Sequence, residues 1–337
     1  MNALRSTPFL LACLISASCA PFSAIVGRNK YHEQTYFPAS HNFAFKQSFP
    51  TVDGLFNAFD YGHSILYETL WRHPAAARRV LDDEQFLFIT TQLLRKPPAV
   101  PLDETAIAPE WALLAPEVVE MFEWAHMLHR QLYDVWTDDA IPPADKDNKV
   151  RELVRYYRSR PAVAFSSSPK SMTLMEGQPY SLTFRKKFPR YNGLIWSYHW
   201  LQMALYDALM TRTTPSERAG NVTAVVDQFW HMLDSSGSNL PTAMPQSAAI
   251  APCFSDRYPE AAIIFDNLHS LHDVVSDILA DSTIPRNRKR REILVAASRY
   301  RDSTTLVTSV DEWQAMSVAM GIKQMGGTPA IMPGCGK

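Results

Sequence analysis

Glu123-Trp-Ala-His126-Met-Leu-His129 and Asp266-Asn-Leu-His269-Ser-Leu-His272 both read acid-x-x-His-x-Leu-His. The chain has 34 acidic residues and 10 histidines in 337 positions. Random placement of those residues gives roughly 0.03 copies of acid-x-x-His-x-x-His, so two copies need a cause. Both copies lie in stretches of helical periodicity, about 116–136 and 259–280. Residues three apart share a helix face, where a carboxylate and an imidazole can hold one metal ion.

Working outward, 52–71 repeats Phe56, Phe59, His63, Leu66, Tyr67 and Leu70 at helical spacing. A shorter helix over 82–94 stops at Lys96-Pro-Pro98, and a Pro-rich connection runs to Pro109. Further helices are predicted over 148–158, 192–211, 216–233 and 288–300, with Ser216-Glu-Arg opening the third of these. The polar stretch 161–189, with Ser166-Ser-Ser-Pro169, is the best boundary or long surface loop, and 235–252 is a Gly/Ser/Pro loop. Strand signals are few. The predicted fold is an all-α multi-helix bundle over 51–312, between an irregular 19–50 and a tail over 313–337.

The two triplets are 143 residues apart. Upstream of them, Leu66-Tyr67-Glu68-Thr69-Leu70 matches Leu205-Tyr206-Asp207-Ala208-Leu209 at an offset of 139. The order is the same and the offsets differ by four, which a loop can absorb. The pattern predicts a pseudo-twofold duplication of a two-helix unit, 51–160 and 190–300: one helix carrying an acid, then one carrying the triplet.

In chain order the candidate ligands are Glu68, Glu123 with His126, Asp207, and Asp266 with His269. This arrangement resembles the ferritin-like di-metal carboxylate bundles, in which two helices give one acid each and two give acid-x-x-His. The resemblance implies a dinuclear transition-metal site, most readily iron with Cu, Mn or Zn as alternatives, and O2-dependent oxidation. It covers the four long helices. It departs from the family in using Asp at two positions, in its longer helix spacing, and in the extra His129 and His272 as further ligands. Those two imidazoles support a more His-rich alternative, with His63, His199 and His231 supplying the remainder. The stretch Trp124 to Arg130 is similar to the Trp-His-Arg stretch of tyrosinase-like di-copper proteins, although that family's other signatures are missing.

Other polar residues have structural readings beside the functional ones. Asp60 with His63, and Asp227 with His231, are helix-spaced pairs that read as ligands or as hydrogen bonds. Tyr67 and Tyr206 flank the proposed acids and could bond to them. His32, His41 and His73 fall in irregular or terminal positions and are expected at the surface. The basic run Arg286-Asn-Arg-Lys-Arg-Arg291 reads as a solvated helix start or a contact for anionic lipid.

Residues 1–18 have the layout of a secretory signal: Arg5, an apolar run from Pro8 to Ile15, then small residues. Leu14-Ile-Ser-Ala-Ser-Cys19 matches a lipobox, which predicts a lipid anchor at Cys19 and a periplasmic, outer-membrane or cell-surface location. Cys253 and Cys335 remain as a possible pair. A net charge of −1 argues against nucleic acid as the main partner. The chain has no P-loop, Gly-x-Gly-x-x-Gly, Gly-x-Ser-x-Gly or Cys-x-x-Cys-His. Nucleotide, serine-hydrolase and c-type haem functions therefore have no support. Alternatives to an oxidase are a non-catalytic metal-binding protein for storage, delivery or sensing, and a structural lipoprotein. The substrate is not encoded legibly.

Overall fold

The computed structural model describes residues 34–211, 214–234, 237–329 and 335. The signal segment, the lipobox and Cys19 lie outside the described residues. Within them the chain is all-α, with no strand beyond isolated bridges such as that between Lys170 and Val307. No helix among the described residues is long and apolar enough to cross a membrane.

The helices come as two matching series. The first is α1 (Ala44–Ser48), α2 (Pro50–Arg72), α3 (Glu104–Ile107), α4 (Pro109–Leu114), α5 (Pro116–Thr137) and α6 (Pro143–Arg158). The second is α7 (Thr183–Lys187), α8 (Pro189–Met210), α10 (Ser247–Ile250), α11 (Pro252–Arg257), α12 (Pro259–Ala280) and α13 (Arg286–Arg301). Between α8 and α10 runs α9 (Pro215–Met232), where the first copy has a mixed α/π segment over 79–93. The last helix is α14 (Val310–Ala319). Starting residues of α1 and α2 recur 139 residues later, and those of α3 to α6 recur 143 later. The duplicated unit is thus much larger than the two helices expected, and its four extra residues lie between α8 and α10.

Proline explains the shape of the unit. A proline at the first helical position lacks only an N–H that would have no partner there, and it pushes the preceding residue out of the helical region. Phe49, Ala108, Ala115, Phe188, Ala251 and Tyr258 each precede such a proline. All sit at φ between −125° and −143° and ψ between 57° and 65°. Each is a one-residue corner between consecutive helices, repeated in both copies.

These corners place no Ser, Thr or Asp at the helix start, so the caps come from elsewhere. Glu68 of α2 accepts from the backbone N–H of Glu110 and Trp111 at 3.1 and 3.0 Å, capping α4. Asp207 of α8 accepts from Cys253 and Phe254 at 3.0 and 2.8 Å, capping α11. Asp134 of α5 takes the N–H of Phe43 and Phe45, and Asp277 of α12 takes those of Leu182 and Phe184. Phe43 and Leu182 both have φ near +70°, at 72° and 65°, which turns their N–H groups toward the carboxylate. At the other end, Lys146 donates to the carbonyls of Val135, Trp136 and Asp138, and Lys289 to those of Ile278, Leu279 and Asp281. Carboxylates sit at helix N-termini and ammoniums at C-termini, as the helix dipole favours.

Four long helices form the centre. α2 and α5 each pack against α8 and α12, so each copy's pair lies across both helices of the other. From Tyr191 to Leu209 every residue of α8 is buried. It is enclosed on all sides, as its lack of a polar stripe requires.

Several sequence expectations change. The stretch 161–189 holds the junction between the two copies and is sewn into the second rather than left as a free surface loop. Ser166 and Ser171 donate to the carbonyls of Tyr300 and Leu306, and Asn267 donates to those of Ser166 and Ser168. The tail from 313 includes most of α14, whose Trp313 is buried. His41 is buried at 3% exposure, because the N-terminal segment folds onto α5. The basic run is a mostly exposed helix start with Arg286, Arg288 and Arg291 at the surface, Arg286 over Trp71 at 3.4 Å and Arg290 paired with Glu117; only Lys289 turns inward, as the carbonyl clamp. Cys253 and Cys335 form a disulfide.

Replacing Asp277 by Ala leaves two backbone N–H groups without their acceptor. We expect a loss of about 1–3 kcal/mol in urea unfolding. An unchanged midpoint would show that the long-range cap contributes nothing.

Candidate metal centre

Six histidines meet where the four central helices cross: His63 from α2, His126 and His129 from α5, His199 from α8, and His269 and His272 from α12. All are at most 6% exposed. Ring centroids of His63 and His272 lie 4.1 Å apart, those of His199 and His269 4.0 Å, and those of His126 and His272 5.6 Å. One nitrogen from each of His63, His199 and His272 falls within 4.8 Å of the others, a group that could hold a metal ion.

The nitrogens are poorly served by the protein. His269 Nε2 meets Gln202 Oε1 at 3.1 Å, His129 Nδ1 meets the Tyr206 hydroxyl at 2.6 Å, and His272 Nδ1 faces His199 Nε2 at 3.4 Å. Both nitrogens of His63 have no hydrogen-bond partner, nor do His129 Nε2, His199 Nδ1, His269 Nδ1 and His272 Nε2. An unsatisfied buried polar atom costs about 1–3 kcal/mol. Six of them are clustered in this one part of the core.

Aromatic rings close the cluster off. Phe59 lies 4.1 Å from His63, Phe122 4.1 Å from His272, and Phe265 3.4 Å from His129, centroid to centroid. Burial therefore pushes the pKa of His63, His129, His199, His269 and His272 well below the ordinary value, and neighbouring imidazoles add to it. Neutral imidazole is the metal-binding form, so the lone pairs are available without loss of a proton.

Three of the four carboxylates proposed as ligands have hydrogen-bond partners in the protein. Glu68 and Asp207 are helix caps, as described above. Asp266 accepts from the N–H and hydroxyl of Ser247 and from the indole of Trp313. Glu123 is buried and acts electrostatically on Glu104 and Asp60. Glu104 occupies the position of Ser247 in the other copy, so in the first copy an acid faces an acid. Burial raises the pKa of Glu104 strongly, with the Glu123 charge adding to it. Asp60 is pushed up to about 8 by burial despite its ion pair with Arg130.

Of the sequence candidates, the structure thus gathers His126, His129, His269 and His272, and adds His63 and His199. His231 is exposed on α9 and takes no part. The hydroxyls of Tyr67 and Tyr206 point to His272 O and His129 Nδ1, not to the neighbouring acids. His63 and His199 could be found in the sequence only as histidines on strongly apolar helices. Their convergence comes from four helices crossing.

The site does not obey the repeat. His126 and His129 correspond to His269 and His272. His63 corresponds to Gln202, however, and His199 to Asp60. The three-imidazole group therefore forms once. No protein-family profile, no curated protein and no solved structure matches this chain.

Titration gives a test. The five imidazoles refuse protons that the unfolded chain takes up near pH 6.5, so their contribution to stability is lost as pH falls below that value. Asp60, Asp134, Asp266 and Asp273 are pushed up to about 8, 7, 7 and 7, and Asp207 and Asp277 to about 6, all by burial. Their contribution is lost as pH rises through those values. Between about pH 4 and 6.5 the two sets oppose each other, so the stability of the metal-free protein should change less with pH there than either set alone would dictate. The five imidazoles should remain neutral at pH 5.5 by nitrogen NMR. Stability that climbs steadily to pH 8, or charged core imidazoles at pH 5.5, would contradict the assignment.

Proposed function

We propose that this protein binds one transition-metal ion at the centre of its bundle, on His63, His199 and His272. The observation that carries the reading is the convergence of three neutral imidazoles within 4.8 Å, ringed by buried nitrogens with no hydrogen-bond partner. A single ion is favoured over the expected pair because the repeat-related positions hold Gln202 and Asp60. An imidazole-only donor set suits copper or zinc better than a carboxylate-bridged iron pair. The resemblance to the di-metal bundles then reduces to a shared architecture, four helices that aim ligands inward.

Three protein ligands leave one coordination position open. The ion would supply Lewis acidity there, or redox chemistry if it is copper. The chain's own residues orient and insulate it. Gln202 holds His269 and Tyr206 holds His129, fixing imidazoles next to the triad. Phe59, Phe122 and Phe265 exclude water. His63, His199 and His272 are at most 2% exposed, which favours ion holding or reaction with a diatomic over turnover of a bulky substrate. The exported location read from the signal segment is supported by the Cys253–Cys335 disulfide, since such bonds persist in oxidising compartments.

Metal analysis of protein never exposed to chelator should give about one equivalent of a transition metal, and His199→Ala should remove most of it. Glu68→Gln and Asp207→Asn should lower stability and keep the metal, because these residues cap helices. Less than about half an equivalent of any transition metal in the wild type would sink the proposal. Metal lost from Asp207→Asn alone would return the carboxylates to the ligand set. Adding O2 to the reduced, loaded protein separates the two roles: an optical change or O2 uptake favours an oxidase, and silence favours storage or delivery.

A further inference from the structure

Between α6 and the corner joining α11 to α12 lies a cavity of about 260 Å³. Arg151, Arg155 and Arg158 line it from one face of α6, at helical spacing, and Arg257 lines it from the end of α11. Val150, Val154 and Ala261 give it an apolar floor. The 22-residue α12 begins at this cavity with Pro259, so its N-terminal dipole adds positive potential. Two of the cations are partly neutralised: Arg158 pairs with Glu260 at 3.3 Å and Arg257 with Asp147 at 2.8 Å. Among the described residues no carboxylate lies within ion-pair distance of Arg151 or Arg155, although Arg151 also acts electrostatically on Asp147. Arg151 donates to the neutral side chain of Asn148.

The duplicated fold provides an internal control. Positions equivalent to Arg151, Arg155, Arg158 and Arg257 in the other copy hold Leu294, Ser298, Arg301 and Leu114. The same helices therefore pack without three of these four arginines, so the fold does not require them. A net charge of −1 over the chain means that the cluster is not a general basic surplus.

We propose that this cavity binds a phosphate ester carrying a short apolar chain. Guanidinium forks pair with phosphate oxygens through parallel hydrogen bonds, and the unpaired Arg151 and Arg155 are placed to do so. The floor of Val150, Val154 and Ala261 takes the first carbons of the chain. The volume suits a head group with a few carbons, not a whole lipid. The phosphate can belong to a membrane lipid or to a soluble ester. This site is independent of the metal and stands or falls separately from it.

The test is calorimetric titration of the whole protein with octyl phosphate, octanol and inorganic phosphate. Octyl phosphate should bind at least about tenfold more tightly than either of the others. The Arg151→Leu/Arg155→Ser double variant copies the residues of the other repeat. It should weaken octyl phosphate about tenfold and leave octanol unchanged. Should that variant fold poorly, Arg155→Glu alone, at an exposed helix position, should give the same loss. Equal affinity for octanol and octyl phosphate, or full octyl phosphate affinity in a folded variant, would overturn the proposal. Co-sedimentation with phosphatidylglycerol but not phosphatidylcholine vesicles, lost in the variant, assigns the phosphate to a lipid. Arginine-dependent binding of octyl phosphate without sedimentation assigns it to a soluble ester.

Discussion

Buried carboxylates that cap distant helices hold this molecule in its shape. Asp134 and Asp277 fix the entry to α2 and α8, and Glu68 and Asp207 fix the entry to α5 and α12. The need for them follows from how the short helices begin, α4 and α11 at one-residue proline corners and α1 and α7 after the left-handed Phe43 and Leu182, none of which supplies a local side-chain acceptor. Each cap joins a long central helix to a short peripheral one far away in sequence. Together they set where the four central helices start, and so where their middles cross.

That crossing concentrates histidines under conditions hostile to charge. Burial keeps the imidazoles neutral, and the packing around them gives few hydrogen-bond partners. A protein selected only for stability would fill this space with apolar side chains, which need no partners. The retained nitrogens are what the proposed metal ion would use. Where the two copies differ, at His63 against Gln202 and His199 against Asp60, the differences lie at this site. Both copies contribute to the three-imidazole group, His63 from the first and His199 and His272 from the second.

Much of the fold was legible in the sequence. Long stretches with 3.6-residue periodicity gave the main helices to within a few residues, because periodicity reports a buried face directly. The duplication was legible from Leu66–Leu70 against Leu205–Leu209 and from the triplets, although its full extent lay in the proline pairs, such as Pro50 with Pro189 and Pro109 with Pro252. How 161–189 is sewn into the second copy was not legible, since its polar residues look like solvated loop until their partners on α12 and α13 are known. The partners of the acids were not legible for a related reason. A carboxylate that caps a helix across the fold and one that binds a metal look the same on a helical wheel.

The sequence by itself determined an all-α chain, two copies of one unit and the pair of acid-x-x-His-x-Leu-His helices, because these depend on local periodicity and spacing. Only the tertiary structure decided which half of each motif faces the centre. Helix crossing angles turned the imidazoles inward and sent the carboxylates of Glu68, Asp207 and Asp266 to backbone and side-chain donors. It also brought His63 and His199, which no local pattern connects, to the same few ångströms as His272. Such convergence depends on how four helices pack, and that is a property of the whole chain.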